Sequence, residues 1–314
     1  MIPIQHTLQT GYMVGPVHCY SAILNGELVL FDSGPPTEAA KEYFRSALDL
    51  PRLRHVIMTH CHIDHYGLAH WLEQESDATI YLPYRDSLKV ERHDERLEKQ
   101  STLLLDIGYG QDFADSFMLS MNDGTTFPEF PQQYRIVEDE LPENLGLETL
   151  SCAGHSQSDL VYATADWAVT GDVLLRGVFQ SPLLDVDLET GKRFRNYDAY
   201  CATIGKLAKL RGRRILPGHR KDVDSVDAPI LFYLDKMLTR AAALIPYRDS
   251  GNVAEIVRQL FGERLEKAFH IYLKASEIVF LLDFLEAPEQ LRSVLEQIDL
   301  FETVADKYRE ATDP

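Results

Sequence analysis

Between Thr59 and His65 the chain reads Thr-His-Cys-His-Ile-Asp-His, which puts three imidazoles and one carboxylate into six consecutive positions. Neutral imidazole and carboxylate are good ligands for zinc or iron, and grouping several on one loop lowers the entropic cost of assembling a cation site. The plain alternative is a solvated histidine-rich loop. Three later turns speak against it. Gly154-His155-Ser156, Thr170-Gly171-Asp172 and Pro217-Gly218-His219 each follow an apolar segment, so each puts a histidine or aspartate where a strand has just ended. Glycine beside a ligand lets the backbone turn sharply and pack closely, which suits side chains converging on one edge of a sheet. Singly, each turn is ordinary; together with the histidine run they are specific. The other six histidines, His6, His18, His55, His70, His93 and His270, fit no such pattern.

Elements must carry these residues to one place. His18 to Leu24 and Glu27 to Phe31 read as strands joined by Asn25-Gly26, the dipeptide of a tight hairpin. Thr37 is a candidate N-cap for a helix whose Ala40, Tyr43, Phe44 and Ala47 share one face. Arg54 to Thr59 returns as a strand and delivers the histidine run, followed by a helix over Gly67 to Glu75 and a strand over Ala78 to Leu82. This alternation argues for mixed sheets with helices packed outside. From Tyr84 to about Phe127 the pattern changes to charged helical periodicity, an insertion that is either a solvated arm or a lid. Strands resume at Tyr134 to Val137, Leu147 to Ser151, Leu160 to Thr164, Ala168 to Thr170 and Arg214 to Leu216, with a helix over Asn196 to Leu210. Beyond Asp222 the periodicity is helical only, strongest over Ile230 to Ile245, Val253 to Phe261 and Ser276 to Leu285, and predicts an all-helical C-terminal subdomain over 223–314 after a catalytic domain over 1–222.

Composition narrows the partners. The chain has 314 residues, is 45% hydrophobic, and carries 49 acidic against 31 basic residues for a formal charge of −18. A field of that sign repels nucleic acid and anionic membrane surfaces. Cys19, Cys61, Cys152 and Cys201 show no CxxC spacing and are too few to staple the chain, so free thiols in a reducing cytoplasm are expected. The first lysine is Lys41, which disfavours a secretory signal, and no apolar run approaches the roughly 18 residues of a membrane span.

The His-x-His-x-Asp-His run, the Gly-His turn, the aspartate after a strand and the late Gly-His turn together resemble the metallo-β-lactamase fold superfamily over about residues 4 to 222. The resemblance implies an α/β fold, a four-layer αββα sandwich with two metals at one edge between the sheets. Carried over by position, His60, His62 and His155 would bind one metal, Asp64, His65 and His219 the other, and Asp172 would bridge them. Zinc is the expected ion, with iron or manganese as alternatives. Phe31-Asp32-Ser33-Gly34 resembles the family's Asp-Thr/Ser-Gly turn, in which Asp32 supports the metal run; the other reading of Asp32 is a simple turn former.

Two divalent cations roughly 3.5 to 4 Å apart can share a water and hold it as a hydroxide nucleophile, with Asp64 and Asp172 orienting it and Asp64 passing a proton to the leaving group. The expectation is a metal-dependent hydrolase of a small-molecule ester, thioester or lactone. A small phosphodiesterase, a mononuclear-iron persulfide dioxygenase and a metal-retaining regulatory protein are the alternatives. His18, Tyr66 and Arg176 are further candidates for the substrate pocket, each with a structural alternative, and Cys61 is not expected to be a nucleophile. The helical insertion and extension would cap the site or form a homodimer.

Overall fold

The computed structural model describes residues 2–12, 14–121, 128–180, 182–249, 251–262 and 267–312. Strands β1 (Ile4–Leu8), β2 (Val17–Leu24) and β3 (Glu27–Phe31) form an antiparallel ribbon. Asn25 and Gly26 take φ of 48° and 89°, as the hairpin predicts. Strands β4 (Leu53–Ile57), β5 (Thr79–Leu82) and β6 (Arg135–Ile136) add in parallel, giving a six-stranded sheet in sequence order. A second sheet has the order β10 (Arg214–Pro217), β9 (Trp167–Gly171), β8 (Leu160–Ala163) and β7 (Glu148–Ser151).

Alternation along the strands builds the layers, because successive side chains leave a strand on opposite faces. Val29, Phe31, Ile57 and Tyr81 of the first sheet meet Leu160, Tyr162, Trp167 and Val169 of the second in one buried cluster. The opposite face of the first sheet, through Leu30, Val56 and Ile80, packs on α1 (Glu38–Ala47), while α2 (Ile63–Tyr66) and α3 (Ala69–Glu75) complete that layer. Thr37 caps α1 by accepting from Ala40 N at 3.2 Å.

The charged region folds as α4 (Tyr84–Glu91), α5 (His93–Asp106) and α6 (Gln111–Met121); the end of the expected insertion, residues 122–127, lies outside the described residues. The short α7 (Val137–Glu140) follows β6, so the expected strand over Tyr134 to Val137 is cut to two residues. The outer face of the second sheet, through Val161, Ala163, Ala168 and Ile215, packs on α8 (Asn196–Leu207) and on α9 (Asp227–Leu244), α10 (Val253–Phe261), α11 (Ala268–Glu286), α12 (Pro288–Gln297) and α13 (Phe301–Thr312). Leu97 and Leu104 of α5 and Phe117 of α6 join the same cluster, so insertion, second sheet and C-terminal helices share one core. The layers run α, β, β, α. Among the described residues no helix is long and apolar enough to cross a membrane.

Candidate metal centre

The first sheet delivers the histidine run and the second delivers the other ligands. β4 ends at Ile57, the chain runs without regular structure to an extended His62, and only then does it coil into α2. His60 and His62 therefore precede the helix, whereas Asp64 and His65 sit on a helical turn, closed by His65 N and Tyr66 N donating to His62 O at 2.8 and 3.0 Å. β9 and β10 are parallel neighbours, and a register shift between Leu216 and Pro217 brings Pro217 beside Gly171, so Asp172 and His219 each follow by one or two residues at the same end. Gly218 N donates to Gly171 O at 2.7 Å, and His18 N of the first sheet donates to Gly218 O at 2.7 Å, which ties the two sheet edges together.

Ligand atoms of three overlapping groups lie within 4.8 Å of one another: His60, His62 and His155; His60, His65 and Asp172; Asp64, His65 and His219. Asp172 faces both sides. Its Oδ1 is 3.4 Å from His65 Nε2 and 3.6 Å from His219 Nε2, and its Oδ2 is 3.7 Å from His155 Nε2.

The hydrogen bonds behind the imidazoles decide what their front atoms present. His65 Nδ1 meets Asp32 Oδ2 at 2.8 Å, and His219 Nδ1 meets the Pro16 carbonyl at 2.8 Å. Each acceptor takes a hydrogen bond from Nδ1–H, which makes Nε2 the atom that each ring turns toward the site, and these two atoms face each other at 3.3 Å. Asp64 Oδ2 adds another acceptor 3.3 Å from His219 Nε2. His60 repeats the pattern: Nδ1 is 3.0 Å from Thr59 Oγ1, whose own proton goes to Asp32 Oδ2, while the buried Nε2 has no partner. His155 Nε2 and His62 Nδ1 converge at 3.1 Å, and buried Asp172 Oδ1 accepts no hydrogen bond. Imidazole nitrogens and carboxylate oxygens converging at these distances fit divalent cations, and their mix fits zinc, iron or manganese.

Electrostatics favour the same state. Burial, then the neighbouring imidazoles, hold His60 well below its ordinary value; burial and His155 bring His62 to about 3, and burial lowers His155. Those rings stay neutral and able to ligate. Burial opposes ionisation of Asp172, yet His65, His219 and His155 outweigh it and keep the carboxylate charged. Burial likewise opposes charge on His65, but Asp172 and Asp32 raise it well above the ordinary value. Carboxylates that draw a proton to this nitrogen draw a divalent cation to the same place, so the two compete.

Asp32 takes φ 59° and binds three donors of the metal run: Thr59 N at 2.7 Å, Thr59 Oγ1 at 2.9 Å and His65 Nδ1 at 2.8 Å. It fastens both ends of the run. His18 instead fastens the His219 turn, with Nε2 2.8 Å from the Arg220 carbonyl. Tyr66 is fully buried in the cluster on the α1 side of the first sheet. Arg176 is not brought to the site: it is exposed and donates to Asp224 Oδ2 at 3.1 Å. Cys61 borders the chamber above the ligands, but burial and Asp86 push its thiol well up, which leaves it inert.

Sequence reasoning missed Asp86. From the first turn of α4 its Oδ2 accepts from Cys61 N at 2.8 Å and its Oδ1 from Ser156 Oγ at 2.6 Å, so it binds the neighbours of His60, His62 and His155. Lys89 Nζ lies 2.9 Å from the same Oδ1. Burial opposes this carboxylate, but Lys89, Ser156 and Cys61 N–H bring it to about 2. The only signal in the chain was an Asp and a Lys three apart on a helix, the pattern of countless surface ion pairs.

The family model for the metallo-beta-lactamase superfamily matches residues 12–219. Among solved structures the chain is similar to a metallo-beta-lactamase family protein from Thermus thermophilus, at 21% identity and a TM-score of 0.69, covering 90% of this chain and 93% of that one. A beta-lactamase domain protein from Burkholderia ambifaria matches at 17% identity and a TM-score of 0.69, covering 91% and 86%. An archaeal metallo-beta-lactamase superfamily protein from Sulfolobus tokodaii matches at 18% identity and a TM-score of 0.50, covering 76% and 87%. No curated protein matches the chain. The similarity to solved structures establishes the fold, the family model spans the histidine run and every later ligand turn, and the chain belongs to the metallo-beta-lactamase superfamily.

Proposed function

We propose that the protein is a metal-dependent hydrolase of an ester-like bond, a thioester, ester or lactone, working with two divalent cations. His60, His62 and His155 hold one cation, Asp64, His65 and His219 the other, and Asp172 reaches both. The observation that carries this reading is the facing pair of Nε2 atoms on His65 and His219, 3.3 Å apart, with each Nδ1 hydrogen-bonded behind it. Two such cations, when bound, supply Lewis acidity for the attacked oxygen and lower the pKa of a water between them. Zinc is the preferred ion.

The chain's own residues supply position and proton transfer. Asp32 and Asp86 fix the backbone of the histidine run from opposite sides, which holds the ligating atoms before any ion arrives. Asp64 borders the chamber, and its carboxylate takes the proton released by the attacking water and returns it to the leaving group. Water adds to the acyl carbon, the bond to the leaving oxygen or sulfur breaks, and an acid and an alcohol or thiol result.

The test is a panel of esters, thioesters, lactones and phosphodiesters given to metal-loaded protein, beside His60→Ala. Hydrolysis of an ester-like member that disappears in the variant supports the reading. Phosphodiester cleavage alone moves the reaction to that class, oxygen consumption on a persulfide with one iron per chain makes it a dioxygenase, and no turnover by protein holding two cations sinks the enzyme reading.

A further inference from the structure

The chamber over the metal centre has a volume of about 550 Å³, within the range of pockets that enclose a small organic ligand. Its floor is polar and includes His62, Asp64, His155 and Asp172. Its walls are not. Ile63, Val90, Leu175, Val178, Leu183 and Leu273 line it, contributed by α2, α4, the segment after β9 and α11.

Two cations also reach these walls, and both are matched. Lys89 Nζ lies 2.9 Å from Asp86 Oδ1 and donates to Ser156 Oγ at 2.9 Å, while Arg96 Nε donates to Asp185 Oδ1 at 2.9 Å. A buried cation already neutralised by a buried carboxylate has little charge left for a second anion. Arg220, the remaining lining cation among the described residues, is exposed. The interior thus offers metal-ligating types of group at one end and a mostly apolar lining elsewhere, in which Gln157, Gln180 and Asn196 are uncharged and the buried ions are paired.

We infer that this chamber binds a hydrocarbon chain of the substrate, uncharged along its length, with the bond to be cleaved lying over His62, Asp64, His155 and Asp172. The placement of that bond rests on the hydrolase reading; the chain site itself rests on the walls. Burial of methylenes supplies the affinity, and the polar floor orients the reacting end.

Calorimetric titration of the full chain with n-alkanols and with matching carboxylates, both from four to eight carbons, tests this directly. Each added methylene is expected to tighten binding by about fourfold, the effect of removing one CH₂ from water, with the same slope in both series. Val178→Trp is expected to exclude the longest chains while retaining the shortest, and Leu273→Asn to flatten the slope. Affinity independent of length in both series overturns the inference, whatever the variants do. Protein that hydrolyses nothing yet keeps the slope loses the hydrolase reading and keeps the chain site. Protein that hydrolyses short polar esters without a slope does the reverse.

Discussion

A Cβ on Gly218 would lie 2.6 Å from Asp172 Oδ1 and 2.7 Å from His65 Cε1, so this glycine is the gap through which two ligands approach. Gly171, at φ 48°, does the same for Thr59, whose Oγ1 a Cβ would meet at 2.6 Å. Gly218→Ala is expected to displace both ligands and lower bound metal by at least one equivalent with an unchanged circular dichroism spectrum; full metal content would contradict it. Asp32→Asn weakens the bond that fixes His65 and should reduce metal affinity about 10- to 100-fold, measured by chelator competition. Asp86→Ala removes acceptors from Cys61 N and Ser156 Oγ and leaves Lys89 without this partner, a loss of about 2 kcal/mol in urea unfolding. At this scale the residues proposed as ligands were legible because their types and their glycines are local in sequence. Asp86 was not, because its partners lie 25 and 70 residues away, and Tyr66 and Arg176 were drawn in by mere adjacency to ligands.

Elements were legible where their signals are local. The Asn25-Gly26 hairpin and the Thr37 cap each depend on a few adjacent residues, and both form as expected. β1 went unread because it is an edge strand whose Ile4 is 66% exposed, while its buried inward positions are His6 and Leu8; an imidazole on the core side broke the apolar alternation. The α2 turn was read as loop because four residues show no helical period. α11 begins eight residues before the expected Ser276, and its burial on nearly every side erases the one-faced pattern by which helices are recognised. That helix also holds the wall of the chamber: Tyr272 donates to the Leu184 carbonyl at 2.6 Å, and Asp283 receives Arg193 through two bonds of 2.7 and 2.8 Å. Asp283→Ala is expected to cost about 2 kcal/mol in urea unfolding while leaving metal content unchanged. A stability equal to wild type would remove α11 as the support of that wall.

Over the whole molecule, the two sheets meet through one apolar cluster and the metal centre sits at the edge where their loops converge. The C-terminal helices are part of the second core, because Leu234, Ile256, Phe280, Leu291 and Tyr308 join the outer face of the four-stranded sheet. A chain ended at residue 222 keeps α8 but loses the cover of α9 to α13, which leaves part of this cluster open to water; it is expected to aggregate or to bind an apolar dye, and a folded monomer of that length would contradict the shared core. Sequence periodicity predicted an all-helical region and singled out segments in α9, α10 and α11, but not the bounds of α12 and α13 or the packing of any of them, since contacts between distant segments leave no trace in either segment alone. The central claim is that seven side chains from both sheets form one two-cation site. Elemental analysis of the purified full chain and of Asp172→Ala tests it most directly. The account predicts close to two divalent cations per chain in the first and a clear loss in the second; a wild-type chain without metal, or a variant that binds as much as wild type, would contradict it.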